Sequence, residues 1–145
     1  MLSRFHHVKD NKESGFTLIE ILVVLAIMGI VAALTVPSFL NQRKSAVDDD
    51  VKADVVNASK QIETWRVRYP SKVIPNITVT ELSSSSNIPA FRDLRTKKGK
   101  EITVVIKPIV GKPGNYIITG KSIRGKRSAT TTGIVYDTTK GGLQS

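Results

Sequence analysis

The 145-residue chain contains no cysteine, which excludes a disulfide staple, a thiolate nucleophile and a Cys-ligated zinc. Histidine is nearly missing too, because His6 and His7 are the only two and both stand in the first seven residues. If that end is a tail or is removed, Ser-His-Asp catalysis and histidine metal ligation go with it. No Gly-rich phosphate loop is present either, so nucleotide-driven work would have to come from another protein. Acidic residues are scarce, 12 against 22 Lys and Arg, for a net charge of +10. Aromatic residues make up 6 % of the chain. Hydrophobic residues nevertheless reach 40 % and the mean hydropathy is −0.07, too apolar for a disordered polycation. The length suits one modest domain. These absences disfavour an enzyme and predict neither a cofactor nor a metal.

What is present falls into four zones. Residues 1–15, MLSRFHHVKDNKESG, are short, polar and mixed in charge. Phe16 to Leu40 follows as 25 residues with Glu20 as their one ionisable group. As a helix this run would span ~37 Å, at ~1.5 Å per residue, and a hydrocarbon core is ~30 Å thick. The basic residues ahead of it favour an amino terminus on the cytoplasmic side.

From Asn41 to Tyr69 the apolar pattern narrows to a stripe formed by Val47, Val51, Val55, Ala58, Ile62, Trp65 and Tyr69. Steps of three and four make this one face of an amphipathic helix. Asp48, Asp49, Lys52, Ser59, Lys60 and Glu63 lie largely off the stripe, and Asp48 to Lys52 is a favourable i,i+4 pair. Pro70 stops the helix, since it has no N–H and crowds Tyr69. The spacing therefore predicts one helix over about residues 16–69.

Residues 70–100 read as a loop, with VIPNITVT as a short extended candidate and SSSSN (Ser83 to Asn87) as loop composition. Beyond it, EITVVIK (Glu101–Lys107), YIITGKSI (Tyr116–Ile123) and TTTGIVYDTT (Thr130–Thr139) predict about three antiparallel strands over 101–139. GKPGN and RGKR supply the turns. Residues 140–145 are a tail, to be held by hydrogen bonds and packing or left loose. The expected fold class is α+β, a long N-terminal helix whose second half packs on a small antiparallel sheet. The expected division is 1–15, 16–40 and a head over 41–145.

Glu20 is the residue that demands a reason. A carboxylate inside a membrane-spanning run costs several kcal/mol unless paired, which makes it a functional candidate. The bland alternative is a side chain at the bilayer edge that snorkels to water. Its neighbours tip the balance. Gly15, Phe16, Thr17, Leu18, Ile19 and Glu20, read as GFTLIE after a short basic leader and before about twenty apolar residues, resemble the signature of the type IV prepilins and pseudopilins. The likeness covers roughly residues 10–40, and Pro37 matches the helix-kinking proline of many members; beyond Leu40 it is architectural only.

The resemblance implies cleavage by a prepilin peptidase between Gly15 and Phe16, with methylation of the new Phe16 amine. Glu20 would then meet the Phe16 amine of a neighbouring subunit. Pairing between subunits lowers the cost of desolvating both charges and sets axial register. Packed side by side, the apolar helices would make a heterologous contact that does not close and so propagates as a helix. The implied partners are other copies of the chain, the peptidase, the membrane, and an assembly platform with its ATPase. The expected function is a subunit of a type IV pilus or pilus-like filament, held in the cytoplasmic membrane before assembly and extracellular after it. The alternatives within the family are a secretion pseudopilin or a minor DNA-uptake pilin. From a different class, a signal-anchored, monomeric, polyanion-binding surface protein also fits. A cleavable secretory signal fits less well, because no A-x-A site follows the apolar run.

The charge is lopsided. From Trp65 onward there are 15 basic and 4 acidic residues. Two clusters stand out: Arg92, Arg95, Lys97, Lys98 and Lys100, and Lys121, Arg124, Lys126 and Arg127. They are candidates for capturing DNA or other anionic surface polymers; a solvated face is the plainer reading. Phe91 is the only ring near the first cluster, which gives little support to stacking on single strands. DDDVKAD (Asp48–Asp54) lacks the glycine and spacing of a calcium loop and reads as a solvated helix face. Two formal glycosylation sequons, at Asn57 and Asn76, read as accidental because the resemblance implies a bacterial source.

Overall fold

A computed structural model describes residues 16–80, 96 and 99–144. Helix α1 runs from Leu18 to Arg68 as one element. It ends where the sequence requires: the Tyr69 N–H still reaches the Trp65 carbonyl at 2.9 Å, but Pro70 cannot continue the ladder. Arg66 and Arg68 occupy the last turn, where positive charge suits the helix dipole. Pro37 lies within the helix, and its missing N–H leaves the Ala33 carbonyl without its usual partner. The chain separates into two compact units between Pro37 and Ser38, three residues before the boundary expected from composition.

In the first unit every described residue is exposed. In the second, the helix meets an open five-stranded sheet: β1 (Ile77–Thr80), β2 (Ile102–Pro108), β3 (Tyr116–Ser122), β4 (Ile134–Asp137) and β5 (Gly142–Gln144). The strands lie in sequence order and each pairs antiparallel with the next. The α+β, pilin-like arrangement expected from the sequence is present.

The core follows from the two periodicities. Val51, Val55, Ala58, Ile62 and Trp65 are buried on the helix, against Val79, Val104, Ile106, Ile118 and Ile134 from alternate positions of the strands. The helix approaches closely at Gly120 on β3, which sits between Val104 and Ile134 in the sheet register. A Cβ there would lie 2.5 Å from Val55 Cγ2 and 2.6 Å from Val51 Cγ1. Only glycine lets the helix settle this close.

Four expectations need correction. The sheet has five strands rather than about three: Ile77–Thr80, the second half of the VIPNITVT stretch read as a short extended candidate, pairs with β2, and Gly142–Gln144, inside the expected tail, pairs with β4. Both are short and become strands only because a longer neighbour offers its ladder. Asp48 and Ser59, placed off the apolar stripe, are buried. Lys52 pairs with Asp49 at 3.0 Å rather than with Asp48, because Asp48 points inward. DDDVKAD is therefore not simply a solvated face. The SSSSN stretch lies outside the described residues.

The carboxyl-terminal end is tied down without a disulfide. Asp137 caps the short 3-10 helix Thr138–Lys140 by accepting from the Thr139 N–H and hydroxyl, at 2.8 and 2.7 Å. The Thr139 hydroxyl and N–H hold the Asp137 carboxyl below the usual carboxylate range. The Thr138 hydroxyl bridges both the N–H and the carbonyl of Tyr116. Gly141 and Gly142 then take left-handed φ of 84° and 111°, a turn that returns β5 alongside β4.

Candidate assembly site

The helix begins with a reciprocal cap. Thr17 is the last non-helical residue, and its hydroxyl accepts from the Glu20 N–H at 3.2 Å. Glu20 Oε2 in turn accepts from the Thr17 N–H and the Thr17 hydroxyl, each at 2.8 Å. This is a capping box, threonine and glutamate three apart, which satisfies donors that a helix start otherwise leaves orphaned. The pattern was readable in Thr17-Leu18-Ile19-Glu20. It gives Glu20 a local partner that the snorkelling alternative did not consider. Both described bonds to the side chain fall on Oε2, and the carboxylate stays exposed.

Around this cap the surface is apolar. Phe16 is 82 % exposed and Leu34 74 %, and Leu22, Leu25, Ile30 and Phe39 are open too. The helix is long and apolar enough to cross a membrane. Each such side chain, once fully buried, would contribute roughly 1.5–3 kcal/mol. Gly15, the expected cleavage position, lies outside the described residues.

Residues 10–36 match the family described as Prokaryotic N-terminal methylation motif. The signature read from GFTLIE is thereby borne out, and the match covers Gly15, Phe16 and Glu20 together. The chain is also similar to proteins named type II secretion system core protein G. It is 32 % identical to that of Dickeya chrysanthemi over 65 residues, 43 % of this chain and 42 % of the relative. It is 38 % identical to that of Pseudomonas aeruginosa over 67 residues, 44 % and 47 % of the two chains. With that of Escherichia coli the identity is 26 % over 89 residues, 61 % of each. The chain spans less than half the length of the first two relatives. No solved structure matches it.

The second set of candidate residues is partly assembled by the fold. Lys121, Arg124, Lys126 and Arg127 lie at the end of β3 and the start of the β3–β4 connection, all exposed. Lys100 joins them: the Ser122 hydroxyl donates to the Lys100 carbonyl, and Arg124 Nη1 donates to the Gly99 carbonyl at 3.1 Å. Arg92, Arg95, Lys97 and Lys98 lie outside the described residues. Several of the charges are already engaged. Arg124 Nη2 pairs with Glu101 at 2.6 Å and Lys100 with Asp50 at 3.7 Å, while Lys121 Nζ donates to the Thr131 carbonyl.

The residue that organises this loop escaped the sequence reading. Asp48, 5 % exposed, accepts from the N–H groups of Lys126, Arg127 and Ser128 at 3.2, 2.8 and 3.0 Å, and from the Ser128 hydroxyl at 2.7 Å. Burial works to raise its carboxyl, but the bonds from Arg127, Ser128 and Lys126 outweigh it and hold Asp48 below the usual range. Its partners stand 78–80 residues away in the chain, so no local pattern could have announced them. Among the described residues there is no group of three His, Cys, Asp or Glu that could hold a metal ion.

Proposed function

We propose that the chain is a non-catalytic structural subunit of a pilin-like filament. It is made as a membrane-held precursor, with its amino terminus on the cytoplasmic side. A prepilin peptidase cuts it after Gly15 and methylates Phe16, and an assembly platform with its ATPase then polymerises it through the apolar helix. The carrying observation is the helix from Leu18 to Pro37, exposed on every side and beginning inside a methylation motif. A helix that is apolar all round needs lipid or other helices around it; a propagating contact between copies supplies the second when the subunit leaves the first. Pro37 then marks a point where regular hydrogen bonding is already interrupted.

Glu20 is the assembly charge in this reading. Its carboxylate is held exposed at the helix start by Thr17, and a neighbour's methylated Phe16 amine is the partner this reading gives it. Similarity to the secretion proteins named core protein G favours a secretion pseudopilin over an adhesive or motility pilus as the machine it serves.

Mass spectrometry of the amino-terminal peptide, from membranes or sheared filaments of the native cell, tests the processing. A chain beginning at N-methylated Phe16 is expected. A chain beginning at Met1, or near Phe39, would overturn the proposal. Glu20→Val tests assembly separately: processing and membrane insertion should persist while filaments disappear. Unchanged filaments would remove the role given to Glu20.

A further inference from the structure

The β3–β4 connection, residues 123–133, is fixed from the inside. Besides the four bonds to Asp48, the Ser122 N–H donates to the Ser128 carbonyl at 3.2 Å, and the Gly125 N–H to the Ser122 carbonyl at 3.3 Å. Thr130 closes the far side, its hydroxyl donating to the Arg127 carbonyl at 2.7 Å. Gly125 marks how tightly this is drawn: a Cβ there would lie 2.2 Å from Asp48 Oδ1 and 2.0 Å from Ser128 Oγ. Successive N–H groups converging on one carboxylate form an anion nest. Here the chain fills the nest itself.

The filling has an outward consequence. The backbone N–H groups of residues 126–128 turn inward to Asp48, and the Lys126 and Arg127 residues stand exposed. Their neighbours Lys100, Lys121 and Arg124 have partners within the fold. The described bonds of Lys126 and Arg127 are made by their backbones. Two shallow clefts flank the loop. One, of about 230 Å³, is lined by Arg127, Thr130, Thr132 and Gln144; the other, of about 300 Å³, by Lys121, Ser128, Thr130 and Thr131. Glu101 also lines the second, but it is taken up by Arg124. Hydroxyls beside Arg127 in the first cleft and Lys121 in the second suit phosphate oxygens, and Lys126 stands on the same loop outside both. No aromatic ring lines either cleft, so the chemistry on offer is contact with a polymer backbone rather than base stacking.

We propose that Lys126 and Arg127 bind the backbone of a phosphodiester polymer, and that Asp48 is the residue that positions them. Binding by one chain is weak, because two phosphate contacts carry it, and its logarithmic salt slope is about −2. Repetition along a filament would multiply it by avidity. That gain rests on the filament reading, whereas binding by single chains does not.

The test uses the processed full chain in detergent micelles with fluorescent duplex DNA as the probe. The double variant K126Q/R127Q should lose roughly tenfold in affinity and most of the salt slope; both side chains are exposed, so folding is retained. Unchanged affinity and slope would overturn the site. Asp48→Asn and Asp49→Asn each remove one negative charge, so charge counting alone predicts equal and slightly tighter binding. Positioning predicts that Asp48→Asn weakens binding severalfold while Asp49→Asn does not. Ser128→Ala, which changes no charge, should weaken it in the same direction even if Asp48→Asn unfolds the head. Equal behaviour of the two aspartate variants, together with a silent Ser128→Ala, would overturn the positioning role. Tighter binding to single-stranded than to duplex DNA would overturn the backbone chemistry. Competition by poly(glycerol phosphate) at matched phosphate concentration separates the two natural sources of that backbone, and whichever displaces the other names the source. All of these readouts are taken on dispersed chains, so failure to bind leaves the assembly proposal standing and failure to form filaments leaves this one standing.

Discussion

Between Leu18 and Pro37 the helix buries none of its side chains, whereas between Ser38 and Arg68 it buries nine, two of them aspartates. The more apolar stretch is thus the exposed one, the reverse of what a self-sufficient domain would do. The lesson is that the two stretches answer to different surroundings. The first finds no complement among the described residues, and the proposed reading supplies one in lipid or in other copies. The second has it inside, in the sheet, and can even place a carboxylate in the interior because Ser128 and the loop backbone meet it. Burial of that charge is tolerable only with all four bonds in place.

Changes that break this contrast should differ in size. The largest effect on stability is expected from Gly120→Val, which drives a branched side chain into Val51 and Val55. Overpacking of this kind costs about 3 kcal/mol, lowering the melting temperature of the head by more than ~10 °C in a circular-dichroism melt. A melt within a degree or two of the parent would mean the helix does not sit so close to β3. Next is Tyr116→Phe. The Tyr116 hydroxyl donates to Glu63 Oε1 at 2.8 Å and lies 3.4 Å from the Ser59 carbonyl. Burial, then the bond and charge of Glu63, push that phenol well above its ordinary value. Deleting the hydroxyl should cost about 1–2 kcal/mol, read by urea denaturation, with the ring stacked on Tyr136 unaffected.

Acid sharpens the comparison further. The folded-state pKa of Asp48 lies below its unfolded value, so its stabilisation is fully present above about pH 4 and is lost as pH falls through the folded value. The groups that face the carboxylate, the N–H of residues 126–128 and the Ser128 hydroxyl, do not titrate there. Asp137 shifts in the same direction. The head should therefore lose stability below about pH 4, and Asp48→Asn should flatten that slope. An unaltered acid slope in the variant would show that Asp48 is not the group responsible. The smallest effect on the head is expected from Leu34→Ala, which removes a side chain 74 % exposed in the first unit. Its melt should stay within about 0.5 kcal/mol of the parent. A larger drop would mean that the first unit supports the second.

Much of this was legible in the residues. The stripe at steps of three and four predicts the buried face from Val47 to Trp65, Pro70 predicts the helix end within a residue or two, and alternation in ITVVIK and YIITGKS predicts β2 and β3. The run GFTLIE predicts the methylation motif. The capping box at Thr17 and Glu20 was equally readable, but it is overshadowed by the functional question that a charge in an apolar run raises.

What sequence alone determined here are the features whose cause is local: helix period, strand alternation, the proline stop, and an apolar run that no other part of this small chain could cover. Tertiary structure decided the rest. β5 is too short to declare itself and exists because β4 offers it a ladder, and β1, legible only as a short extended stretch, becomes a strand because β2 does the same. Gly120 looked like a flaw in a strand until the valines of the helix arrived above it. Asp48 looked like one carboxylate of an acidic run, and only the return of residues 126–128, about eighty positions along the chain, turned it inward. Hydrogen bonds of that span leave no periodic trace, because their partners are set by the path of the backbone rather than by the composition around either end.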